Sequence, residues 1–173
     1  GRGTTLNSDG DEHATKRSVL AHRLTPKAVR KMTSAVQEKA EGIVDAALSK
    51  QSVDGVDDLA TALPMSIVPD LVGWPEDGRE DLLRWAGATF DSLGPVNRHS
   101  VAAVKGAAEM LAFSRRVVRE RSVIPGSMGD DVLKAADENK IAKSSCPALM
   151  IDYLGPSLDT TIGAISGALD LFA

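Results

Sequence analysis

Apolar residues along this chain recur every three or four positions over long stretches and nowhere alternate convincingly, so the pattern predicts helices in series. The clearest stretch covers residues 26–50, where Val29, Met32, Val36, Ala40, Ile43 and Ala47 share one face while Lys31, Glu38, Lys39 and Glu41 lie elsewhere. That face is expected to be buried. Ahead of it, Asp9 or Asp11 can cap a short helix ending near residue 23. Thr25-Pro26 then supplies a second start, a hydroxyl cap followed by proline in the first turn. Behind it, residues 51–56 form a polar break with room for a short strand. Asp57-Asp58 is expected to cap a helix that Pro64 and Pro69 kink or split before Gly73-Trp74-Pro75 ends it.

Four further segments complete the pattern. A helix over residues 76–93 is expected to bury Leu82, Ala86, Thr89, Phe90 and Leu93, and one over 97–121 to bury Val101, Val104, Ala108, Leu111 and Val118, with Gly94-Pro95 as the hinge between them. A short helix follows at 130–137. The last segment, 144–173, is apolar almost all round and reads as the central helix of a bundle. The fold class predicted is all-α in a single domain, which by itself names no activity.

Composition narrows the field. With 173 residues, 20 Lys+Arg against 24 Asp+Glu, a net charge of -4 and both signs scattered, the chain offers no basic stripe or aromatic ladder, so nucleic acid is an unexpected partner. No apolar run suits a membrane span. The single cysteine, Cys146, excludes an intrachain disulfide and any metal site built from several thiolates, and a lone thiol fits a reducing, cytoplasmic setting. The first residues, Gly1-Arg2-Gly3, carry no secretory signal, and the last, Asp170-Leu171-Phe172-Ala173, end a helix without a stop signal. Both ends are therefore expected to be interior points of a longer chain.

Chemistry concentrates in Leu154-Gly155-Pro156-Ser157-Leu158-Asp159-Thr160-Thr161, in the middle of the apolar helix. Pro156 has no N–H, so the carbonyl of Asp152 loses its helical partner and the helix must open or bend. Two readings follow. In one, Asp159 pairs with a base and Thr160 bonds back to the carbonyl of Pro156, merely satisfying the defect. In the other, the acid and the alcohol face a cavity and relay protons to a bound reactant.

The segment resembles the central-helix signature of the cytochrome P450 family, in which a small residue, a glycine, any residue, an acid and two hydroxylic residues follow in order. Here serine stands in the glycine place and Pro156 in that of the small residue. A second stretch, Asp11-Glu12-His13-Ala14-Thr15-Lys16-Arg17 followed by Leu24-Thr25-Pro26, is similar to one found in bacterial members. His13 and Arg17 are one helical turn apart and point the same way, so they can hold two carboxylates of one ligand. The resemblance covers the middle portion of the family fold, from its third helix into its long central helix. It implies that the complete protein is a heme-thiolate monooxygenase, with heme b held through its propionates by His13 and Arg17 and with Asp159 and Thr160 steering protons.

The resemblance also implies that the cysteine ligand to iron lies outside this sequence. Cys146, which precedes a proline, reads instead as a buried or partly exposed free thiol, and no metal ligand is assigned here. The chain alone is thus expected to be inactive and to hold heme weakly or not at all. The unfinished apolar face of its last helix implies either further chain that covers it or self-association that buries it. A ferredoxin-type electron donor is implied, with Lys16, Arg23 and Lys27 as candidates for its docking face. For the substrate, Arg2 and Thr5 fall in a loop that lines the pocket in this family, and Phe90 and Leu93 on the helix that roofs it. Arg2 gripping an acid and Phe90 stacking on a ring would suit a small aromatic carboxylate, and the wording of these segments resembles the subgroup that oxidises para-substituted benzoic acids. The alternative from another class is an all-α dimerising interaction or regulatory module.

Overall fold

The two 23-residue helices begin where the sequence supplies a partner for their first free N–H groups. In the computed structural model, which describes residues 3–93 and 95–172, seven α-helices follow one another. They are α1 (Gly10–Ala21), α2 (Pro26–Leu48), α3 (Ala62–Val72), α4 (Leu82–Asp91), α5 (Arg98–Glu120), α6 (Met128–Asp137) and α7 (Cys146–Phe172). Thr25 caps α2 by accepting the Ala28 N–H at 3.3 Å, with Pro26 in the first turn as expected. Asn97 caps α5 in a reciprocal box with Ser100. Asp9 stands at the N-cap of α1, but its side chain makes no capping bond.

Before α3 the chain makes a wide π turn, Gly55–Thr61. Asp54 opens it by accepting the N–H groups of Val56 and Asp57, while Asp58 reaches back to the N–H of Asp54, so the cap lies three residues earlier than expected. The short strand anticipated at 51–56 is not formed, and no strand occurs among the described residues. Gly73 ends α3 at φ +93°. A Cβ there would fall 1.9 Å from Ser127 Oγ, so glycine is needed for both conformation and space.

α7 runs through the centre of the bundle, packed by α3, α4, α5 and α6. Cys146, Leu149, Met150, Leu154 and Leu158 are its buried positions, and the core closes around them with Val72, Leu82, Met110, Val117 and Val132. Trp74 and Trp85 both pack on Phe113, at ring-centroid distances of 5.0 and 5.2 Å. Beyond Leu158 the helix is exposed or half-buried, so its centrality holds only for the first half. Cys146 is a buried free thiol, raised above its ordinary pKa by that burial.

Two predicted faces are corrected. On α2 only Ala47 is buried among the described residues, and Val29 is exposed, because this helix packs mainly against α3 and the turns beside it. On α5 the buried stripe is Ala103, Gly106, Met110, Phe113, Ser114 and Val117, whereas Val101 and Val104 face solvent. The small residues win that contact because they let α5 approach α4: a Cβ on Gly106 would stand 2.8 Å from that of Ala88. Ser114 belongs on this face because its hydroxyl donates to the carbonyl of Pro147 at 2.9 Å, the proline that opens α7. The helix expected from residue 76 starts as a short 3-10 turn, Arg79–Asp81, and becomes α4 only at Leu82.

Candidate functional site

The loop of residues 3–9 is tied to α7 at Thr5, whose N–H donates to Asp152 Oδ2. Local bonds stiffen the loop. Asn7 donates to the hydroxyl of Thr4 at 2.9 Å, Ser8 donates to the carbonyl of Thr5 at 2.9 Å, and Lys16 donates to the carbonyl of Thr4 at 3.4 Å. Between this loop, α1, the end of α4 and the middle of α7 lies a cavity of about 790 Å³. That is a usual size for a small-molecule pocket, about 300–1,000 Å³.

Residues singled out separately in the sequence meet at this cavity. His13 and Arg17 line it from α1, Thr5 from the loop, and Phe90 and Leu93 from the end of α4. Leu93, expected to be buried, is 60% exposed and forms the rim. The side chains of His13 and Arg17 make no hydrogen bond or ion pair among the described residues, so their donors are free for a ligand. Arg2 lies outside the described residues.

Asp159 and Thr160 do not line the cavity; both are exposed. Leu154 and Leu158 occupy the inward face of α7, and the following residues turn away from it. The Thr160 hydroxyl donates to the carbonyl of Pro156 at 2.6 Å, the local bond of the first reading, while Asp159 has no ion pair among the described residues. Pro156 itself lines the cavity, so the acid–alcohol pair stands one turn beyond its edge. α7 continues as a helix through Pro156.

Asp152 and Tyr153 also line the cavity and were missed. Burial pushes both side chains above their ordinary pKa values. For Asp152 the bonds from Thr5 and the charge of Lys16 oppose that rise, and for Tyr153 the charge of Arg17 does. The available signal was a carboxylate in the buried half of an apolar helix, four residues before Pro156 and therefore on its face.

Of the three bases considered for a docking face, two are already engaged. Lys16 is 5% exposed and paired with Glu12 at 2.5 Å. Arg23 pairs with Asp131 and donates to the carbonyls of Gly126 and Ser127 at 2.6 and 2.9 Å, tying the turn after α1 to the start of α6. Lys27 is exposed.

No protein-family profile matches the chain. Individual relatives do. The chain is 30% identical over 165 residues to cytochrome P450 CYP199A2 of Rhodopseudomonas palustris, an alignment covering 95% of this chain and 40% of that protein. Over nearly its whole length the chain is similar to cytochrome P450 proteins. A steroid C26-monooxygenase of Mycolicibacterium smegmatis is 25% identical over 124 residues, covering 72% of this chain and 29% of the relative. The solved structure of cytochrome P450 TxtC superposes at a TM-score of 0.89 with 18% identity, over 99% of this chain and 45% of that one, which establishes the shared fold. The chain thus spans less than half the length of each of these relatives.

Proposed function

We propose that this chain is the central portion of a bacterial heme-thiolate monooxygenase. The observation that carries the reading is the meeting of His13, Arg17, Thr5, Phe90 and Leu93 at one cavity beside α7. The residues suit the cofactor: two potential cations one helical turn apart, with uncommitted donors on the wall of a cavity of ligand size, match a pair of propionates. When bound, heme supplies dioxygen chemistry in which one oxygen atom enters a substrate C–H bond and the other leaves as water, consuming two electrons and two protons.

The roles of the chain's own residues follow. His13 and Arg17 orient the cofactor. Thr5, Phe90 and Leu93 contact a small aromatic or apolar substrate, and Asp159 with Thr160 delivers protons from the solvent side of α7. Electrons come from a ferredoxin-type donor, with Lys27 in its docking face. A cytoplasmic enzyme is part of this proposal; among the described residues no helix is long and apolar enough to cross a membrane. Self-association of the isolated segment through the second half of α7, where Leu171 and Phe172 are exposed, belongs to it too.

The sequence pointed to a para-substituted benzoic acid as the finer substrate; Thr5 and Phe90 do meet at one cavity, but the cation that would grip the acid, Arg2, lies outside the described residues, and the carboxylate of Asp152 stands on the same wall. The test of the overall reading uses the full-length protein. Reduced under carbon monoxide, it should give the Soret band of thiolate-ligated heme, and Arg17→Ala should speed heme loss to apomyoglobin by about tenfold. A colourless protein that forms a stable dimer would instead favour the interaction module.

A further inference from the structure

The cavity has a polar wall that the reading above leaves unused. Asp152 faces it from α7, with Oδ2 held by the Thr5 N–H and the Thr5 hydroxyl beside the same carboxylate. Among the described residues, no lysine, arginine or histidine forms a salt bridge with Asp152. Lys16, the nearest base acting on it, is committed to Glu12 and to the carbonyl of Thr4. His13 and Arg17 belong to the cofactor in the proposed function, on which this inference rests. What remains for a substrate at this end is an acceptor: a carboxylate oxygen in a half-enclosed place.

We propose that Asp152 sets the polar end of the substrate, so that the cavity takes a neutral aromatic molecule whose polar group donates a hydrogen bond, an alcohol or a phenol, and rejects the corresponding carboxylate. A hydroxyl satisfies an acceptor without adding charge. A substrate carboxylate placed against Asp152 would set two anions together, with no cation from the described residues between them. An ammonium could pair with Asp152, but in a half-enclosed place the desolvation of two opposite charges offsets their attraction, whereas a hydroxyl meets the same acceptor at less cost. Phe90 and Leu93 offer the other end of the cavity to the ring. Discrimination of this kind is strong because a buried polar group punishes a partner that cannot complement it.

Calorimetric titration of the full-length, heme-loaded protein at pH 7.5 tests this, with 4-methoxybenzyl alcohol and 4-methoxybenzoate as matched probes. The alcohol is expected to bind at least tenfold more tightly than the carboxylate. Asp152→Asn and Asp152→Ser are each expected to improve carboxylate binding by tenfold or more. The wild-type comparison needs no variant to fold. A carboxylate that binds as tightly as the alcohol, or one whose affinity falls in Arg2→Ala, overturns the proposal. Failure of the alcohol to bind at millimolar concentration overturns it as well. A normal carbon monoxide spectrum from the same sample would leave the monooxygenase reading intact in either case, and its absence would sink that reading separately.

Discussion

At Asp152, burial and hydrogen bonding pull in opposite directions. Burial favours the neutral acid, the bonds from Thr5 favour the anion, and the balance leaves the carboxyl above its ordinary range. The folded state therefore binds this proton more readily than the unfolded chain does, so the contribution to stability is greatest below about pH 4 and is lost as pH rises through the folded value. Asp152→Asn keeps an acceptor for the Thr5 N–H and removes the charge. The variant is expected to melt at a higher temperature than the wild type at pH 7, with the advantage vanishing as the pH approaches 3. Thermal melts across that range read it out, and a constant difference would mean that ionisation is not the cause. Asp130 is the opposite case. Lys134 at 2.8 Å and the Gly126 N–H hold its carboxyl below the usual range, so its contribution is present at neutral pH and lost in acid.

At the scale of elements, helix limits were largely legible because they depend on neighbours within four residues. Thr25-Pro26 and the start at Asn97 needed only local chemistry. Which stripe of a helix is buried was less legible. α5 carries two apolar stripes, and periodicity selects the one with valines, whereas the close crossing with α4 selects the one with Gly106. Gly106→Ala is expected to push the helices apart and cost about 1–3 kcal/mol in a denaturant titration. Ser114→Ala should cost about 0.5–1.5 kcal/mol by removing the hydroxyl that donates to the carbonyl of Pro147. Its neighbour Arg115, exposed on the same helix, serves as a control, with Arg115→Ala expected within about 0.5 kcal/mol of wild type.

At the scale of the molecule, the site is assembled from a loop before α1, the end of α4 and the middle of α7, which are far apart in sequence. Asp159 and Thr160 stand just beyond it on the open side of α7. Their proposed proton role is tested in the full-length enzyme with substrate and a ferredoxin donor. Thr160→Ala should lower product per electron pair severalfold and raise peroxide correspondingly, since the hydroxyl no longer passes a proton. Unchanged coupling would leave Thr160 with only its bond to the Pro156 carbonyl.

From the amino-acid order alone came the all-α class, the cap chemistry and the two motifs at His13–Arg17 and Asp159–Thr160. Each of these is written in residues a few positions apart, where backbone geometry follows from covalent reach. The structure alone decided that α2 stays half-exposed, that Lys16 and Arg23 are occupied, and that Asp152 faces the cavity. Burial and pairing are sums over neighbours distant in sequence, and a side chain acquires them only when the helices have packed.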